Sequence, residues 1–256
     1  LSEIAYQSAL YYSKERLQGK SANTSSESDP IIAHPEIRKN LLYIKAVNEG
    51  IRGLMYYTGY KYDISKYSNN KNEISNSNNF VALMTPILKS YATEISIDTT
   101  YKALQIYGGH GYIKDHGMEQ LARDARITTI YEGTNGIQAL DLVGRKMNIN
   151  NGELINSFID EIEKYLNKIK NLTKMNDYIE LFSLGFKDFK ETYKHILSID
   201  LKSTDEIHSH AVEFLKLFAL ISIGYIWLKF IEISINKEEN FYKFKFGSHF
   251  LLWASK

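Results

Sequence analysis

Cysteine is absent from the 256 residues, proline occurs three times, and net charge is close to zero, with 31 Lys and Arg against 30 Asp and Glu. Without cysteine there is no disulfide, thiolate nucleophile or Cys-ligated zinc, which suits a reducing, cytoplasmic setting. Balanced charge leaves no long-range field to gather phosphate backbones or anionic lipid, so nucleic acid is not expected as a partner. Alternating strand patterns are also lacking. No basic segment followed by a cleavage site marks a signal peptide, and the chain opens at Leu1 inside an amphipathic pattern, so it reads as part of a longer polypeptide. The most apolar run, Leu217 to Ile231, falls about five residues short of the roughly 20 that a spanning helix needs. It also carries Lys229, so a buried core helix is expected there and no membrane span.

What is present is helix-forming pattern, with 44% hydrophobic residues to build a core. Apolar residues recur at spacings of three and four almost throughout, which predicts an all-α fold. A first helix ends near Arg16, with Ile4, Leu10 and Tyr11 on its apolar face. A polar connection covers Ser21 to Asp29, and Pro35 then suits the first turn of a helix reaching about Tyr62 along Ile37, Leu41, Ile44, Ile51, Leu54 and Met55. Ser65 to Asn79 is rich in Ser, Asn and Lys and is expected to be a mobile surface loop. A third helix runs from Val81 into Gly108-Gly109-His110-Gly111, followed by short helices at Met118–Ala125 and Asn135–Gly144. The polar stretch Asn148–Gly152 reads as a linker. Domains are therefore expected at 1–147 and 153–256, the second a small bundle of about four helices ending with Phe241 to Trp253.

One stretch departs from plain helical pattern. It comprises Gln105-Ile-Tyr-Gly-Gly-His-Gly-Tyr112, Arg123-Asp-Ala-Arg126 and Ile130-Tyr-Glu-Gly-Thr-Asn-Gly-Ile-Gln138. Three glycines in four residues can bring backbone N–H groups close to a ligand, although such a turn by itself is more often an ordinary helix stop. Glu132 precedes Thr134, a natural N-cap for the next helix, and taken alone reads more readily as a surface carboxylate favouring the helix dipole.

Taken together these blocks resemble the acyl-CoA dehydrogenases, in which Q-x-x-G-G-x-G-Y, R-D-x-R/K and Y-E-G-T follow one another at about this spacing. The likeness continues through Gly144-Arg145, and Tyr12-Ser-Lys-Glu-Arg16-Leu-Gln18-Gly19 is similar to the family's E-R-x-x-F-G helix end, although the phenylalanine is absent. It covers residues 1 to 147. His34-Pro-Glu-Ile-Arg38 and Tyr242-Lys-Phe-Lys245 resemble longer members with an appended helical domain, including those acting on 3-methylmercaptopropionyl-CoA.

The resemblance implies oxidation of an acyl-CoA to a trans-2-enoyl-CoA with FAD as cofactor. Glu132 would be the base that removes the α-proton, which calls for a dry, apolar pocket. Tyr131 would wall that pocket and Gly133 would let the thioester approach. Arg16, Gln18, Gln105, Gly108 and Gly109 would contact FAD of a neighbouring subunit, and Thr134 and Asn135 that of their own, so a homo-oligomer is implied. Gly136 departs from the Glu or Gln common there. Arg123, Asp124 and Arg126 are expected in structural ion pairs, and His110 and His116 as solvated residues with no metal. Electron-transferring flavoprotein would be the electron acceptor. The helical and β-sheet domains that precede this region in the family have no counterpart here, so the isolated chain is expected to bind FAD poorly and to be inactive. The rival reading is a non-enzymatic helical scaffold or nucleic-acid-associated relative of the same fold.

Overall fold

Spacings of three and four become ten α-helices, and no strand, among the residues described by the computed structural model, which are 1–21, 27–199 and 204–235. They are α1 (Ser2–Glu15), α2 (Pro35–Tyr67), α3 (Lys71–Tyr107), α4 (Gly109–Tyr112) and α5 (Met118–Ile127). After the Y-E-G-T loop come α6 (Asn135–Gly144), α7 (Glu153–Ile169), α8 (Asn176–Ser198), α9 (Thr204–Ser209) and α10 (Ala211–Ile235). The expected closing helix at 241–253 lies outside the described residues. Two compact units share these helices: Leu1–Glu49 with Thr93–Glu132, and Gly50–Ala92 with Gly133–Lys256. The chain passes between units within α2, within α3, and between Glu132 and Gly133.

The stretch expected to be a loop is instead the end of α2 and the first turns of α3, joined by Ser68–Asn70 alone. Its polar residues cap the helix. Asn70 Oδ1 accepts the backbone N–H groups of Asn72 at 3.0 Å and Glu73 at 3.4 Å, while Ser68 Oγ donates to the Glu73 carboxylate at 2.8 Å. An Asn followed three residues later by Glu is the pattern of a capping box. Asn79 then donates to Glu153 on α7 at 3.1 Å. Pro86 lies within α3 without ending it.

In the first unit α1 packs by its small residues. Ala5, Ala9 and Ser13 are fully buried at successive turns, whereas Ile4 and Tyr11, expected on the core face, are 58% and 64% exposed. Alanine and serine leave room for close backbone approach, and the core completes itself with Tyr6, Ile31, Leu41, Ile44, Ala103, Ile106 and Met118.

In the second unit α10 is the central apolar element, with Phe218, Trp227, Leu228 and Ile231 fully buried. It is long and apolar enough to cross a membrane, but 72% of its most apolar window is covered by protein, which accounts for that composition. Gly50 and Gly53 on α2 let it approach. A Cβ added at Gly50 would stand 2.5 Å from Ile223 Cγ2 and 2.7 Å from Trp227 Nε1, and at Gly53 it would stand 2.5 Å from Phe230 Cζ. The single helix expected from Thr204 to Ile235 is divided at His210, whose carbonyl accepts the Phe214 N–H that opens α10.

Candidate functional site

The Y-E-G-T loop is built around unusual backbone. Glu132 has φ +53 and Gly133 φ +88, so two successive residues are left-handed before Thr134 begins α6. Asparagine tolerates that region, and Asn150 and Asn151 also occupy it, but glutamate does so at a cost of about 1–2 kcal/mol. Backbone held in this way clusters at functional sites. Among the described residues the Glu132 carboxylate has no hydrogen-bond or ion-pair partner, so no stabilising contact accounts for the strain.

The rest of the loop belongs to the second unit and is anchored. Thr134 Oγ1 accepts the Ile137 N–H at 3.4 Å as the N-cap of α6. Lys89 on α3 donates to the Gly133 carbonyl and, at 3.3 Å, to Asn135 Oδ1. Asn135 Nδ2 donates to the Ser90 carbonyl at 3.1 Å. Sequence reasoning missed Lys89, because nothing in a helical apolar stripe marks which lysine faces a loop some forty residues on.

Glu132 is exposed, as is Tyr131 at 50%, so the dry pocket that proton abstraction needs is not formed by these residues themselves. Ahead of the glutamate two apolar side chains are uncovered, Ile127 and Ile130, 54% and 47% exposed.

Arg16, Gln18, Gln105, Gly108 and Gly109 all lie in the first unit and all are exposed. Tyr12 draws the two ends that carry them together. It stacks on Tyr107 with ring centroids 4.1 Å apart and shares a 2.9 Å hydrogen bond with His110 Nδ1, beside the glycine turn. The segment after α1 is tied down by the Gln18 N–H donating to the Asp29 carbonyl, the Asp29 N–H donating to the Gly19 carbonyl, and His34 Nε2, which donates to the Gln18 carbonyl at 2.8 Å. Gly108 has φ +58, and open space lies where a Cβ would stand at Gly108 and Gly109. The turn therefore presents bare backbone.

His110 and His116 are not simply solvated, as expected; their rings stack 4.9 Å apart. Arg123 reaches Glu119 at 3.8 Å, a long ion pair within α5, while Arg126 donates to Thr129 Oγ1 at 3.1 Å.

A concavity exists elsewhere. An open cavity of about 850 Å3 in the second unit is lined by Tyr57, Lys61, Glu161, Tyr165, Tyr225 and Lys229, among others, and by none of the motif residues. Several of its polar groups pair with one another or, in the case of Tyr165, with Glu232 just outside the lining. Glu161 accepts from Tyr57 at 2.5 Å, Lys61 at 2.7 Å and Tyr225 at 3.1 Å, and Glu232 accepts from Tyr165 at 2.8 Å and Lys168 at 2.9 Å. Burial, reinforced by these carboxylates, pushes the Tyr57, Tyr165 and Tyr225 hydroxyls well above the ordinary phenol value. Lys229 lies over all three rings at 4.5–5.1 Å, and burial lowers its pKa. Mutual pairing of this kind holds α2, α7 and α10 together and marks the cavity as structural.

Comparison with known proteins places the chain in a family. The family model for the acyl-CoA dehydrogenase C-terminal domain matches residues 5–147, and one described as acetyl-CoA dehydrogenase C-terminal like matches 158–249. The 3-methylmercaptopropionyl-CoA dehydrogenase of Ruegeria pomeroyi is 36% identical over 163 residues, 63% of this chain and 28% of that protein. A butyryl-CoA dehydrogenase of Syntrophomonas wolfei is 35% identical over 63% of this chain and 27% of its own length. Among solved structures, Caenorhabditis elegans ACDH-11 in complex with C11-CoA matches with TM-score 0.79 at 19% identity, over 98% of this chain and 40% of that one. An acyl-CoA dehydrogenase from Bacillus anthracis complexed with FAD matches with TM-score 0.70 at 20% identity, over 99% and 44%. These two likenesses concern the fold, and the chain spans little more than a quarter of the two sequence relatives' lengths.

Proposed function

Since the chain belongs to the acyl-CoA dehydrogenase family, we propose that it is the C-terminal portion of a flavin-dependent enzyme that oxidises acyl-CoA to trans-2-enoyl-CoA, with Glu132 as the base. The observation that carries this reading is the left-handed glutamate. An exposed carboxylate without a structural partner among the described residues, kept in costly backbone between two uncovered isoleucines and a helix start, fits a group held for chemistry.

The α-hydrogen of a thioester is only weakly acidic, so the base has to act in a water-poor place. Tyr131 and the uncovered Ile127 and Ile130 supply one apolar border of that place; the remainder comes from the part of the polypeptide that the relatives have beyond this region. Glu132 removes the α-proton, and Gly133, with no side chain, lets the thioester lie close to the loop.

The residues present fit FAD. Exposed Gly108 and Gly109 offer backbone with open space beside it, next to Arg16, Gln18 and Gln105, and the first turn of α6 offers N–H groups that helix geometry leaves without an intrahelical acceptor. Flavin chemistry supplies the acceptor for the hydride that leaves the β-carbon. The first set lies in one unit, and Thr134 and Asn135 lie in the other. A homo-oligomer in which one subunit serves its neighbour's cofactor is part of the same proposal and rests on the family resemblance. A cytoplasmic place in fatty acid β-oxidation, with electrons passing to electron-transferring flavoprotein, completes the proposal. Similar identity to relatives named for two different acyl groups favours neither as substrate.

The test is anaerobic addition of short acyl-CoAs to the flavin-loaded polypeptide that includes the residues encoded before Leu1. Flavin absorbance near 450 nm should bleach in wild type and persist in Glu132→Gln; equal bleaching in both moves the base elsewhere. The isolated 256 residues should bind FAD weakly and not turn over.

A further inference from the structure

A strained backbone needs something to hold it. In the second unit one turn of α3 supplies contacts that hold the loop. The Lys89 ammonium donates to the Gly133 carbonyl and to Asn135 Oδ1, and the other end of the Asn135 amide donates to the carbonyl of Ser90, the next residue on α3. One half-buried lysine thus spans the loop from the residue after Glu132 to the first residue of α6. Because the donor is charged, its bond to the Gly133 carbonyl is stronger than a neutral one and tolerates less wandering of that peptide plane. Gly133 itself contributes little restraint, since glycine populates left- and right-handed backbone about equally.

We infer that Lys89 is the positioning residue for the base: by gripping the Gly133 carbonyl it fixes the Gly133–Thr134 peptide, one residue beyond Glu132, and so limits how far the backbone that carries the carboxylate can turn. The inference rests on the reading of Glu132 as base. Lys89 touches no reacting atom and acts only through the loop.

Lys89→Met keeps the length and apolar stem of the side chain and removes its donors. In the flavin-loaded, full-length polypeptide, kcat should fall on the order of 100-fold, the cost of about an ångström of misplacement, while KM stays near wild type. Lys89→Arg, which restores a charged donor, should recover most of the lost kcat. In the 256-residue chain, amide exchange across 131–135 should quicken in Lys89→Met and not in Lys89→Arg, with the protection of α7 and α10 unchanged. If Lys89→Met does not fold, Lys89→Gln replaces it, with a smaller loss of kcat expected. Wild-type kcat in the Met or Gln variant, beside an inactive Glu132→Gln, overturns the Lys89 inference and leaves the base standing. A fully active Glu132→Gln overturns the base, and the role of Lys89 with it. A rise in KM matching the fall in kcat, with no recovery by Arg, would also overturn the inference.

Discussion

Replacing Glu132 with glycine should make the 256-residue chain more stable. At φ +53 the glutamate carries the left-handed cost of about 1–2 kcal/mol, and its carboxylate has no partner among the described residues that the change would remove. Glycine removes that cost but adds freedom to the unfolded chain, worth roughly 0.5–1 kcal/mol in the other direction. The net gain is about 0–1.5 kcal/mol, or up to roughly 6 °C in Tm for a chain of this size. Glu132→Gln retains the side chain and the strain, so it should stay within about 0.5 kcal/mol of wild type. Urea unfolding followed by circular dichroism compares the three midpoints. A glycine variant less stable than the glutamine variant would mean that the backbone at 132 is not strained and that its conformation is no mark of function.

Other outcomes follow from the packing. Gly50→Ala should destabilise the second unit by about 1–3 kcal/mol, because its Cβ would meet Ile223 and Trp227 on α10; an unchanged urea midpoint contradicts that close approach. Asn70→Ala removes the acceptor at the start of α3 and should cost about 1 kcal/mol, read as faster amide exchange at residues 71–74. Stability should also decline in alkali. Burial raises the folded-state pKa of Tyr57, Tyr165 and Tyr225, so their contribution is complete below the unfolded value of about 10 and is lost as pH rises above it. Lys229, whose pKa is lowered, works the opposite way, one group against three. Tm should therefore fall between about pH 9 and pH 11, and fall less in Tyr225→Phe.

The all-helical class was legible because periodicity and the scarcity of proline are local properties. The start of α6 was equally legible, since a threonine ahead of apolar residues at helical spacing announces its own cap, and Thr134 caps Ile137. Three features were hidden for distinct physical reasons. On α1 the large residues drew attention, yet Ala5, Ala9 and Ser13 make the contact, because close approach of helices selects small side chains. The Ser- and Asn-rich stretch after Tyr62 suggested a loop by composition, although Asn70 and Glu73 stood at capping-box spacing and could have been read. Division of α2 and α3 between two compact units leaves no mark on periodicity, because each helix keeps its stripe through the crossing. At the candidate site, the motif spacing pointed to Glu132 and the glycine turn. Lys89 is a different case: its role depends on a contact with Gly133 that no local pattern encodes.

The most direct measurement is solvent exchange at the α-carbon. A saturated acyl-CoA is incubated anaerobically in D2O with the flavin-loaded, full-length polypeptide, and its deuterium content is followed by mass spectrometry. Wild type should introduce deuterium at that carbon and Glu132→Gln should introduce none; label entering equally fast with the glutamine variant would contradict the assignment of Glu132 as the base.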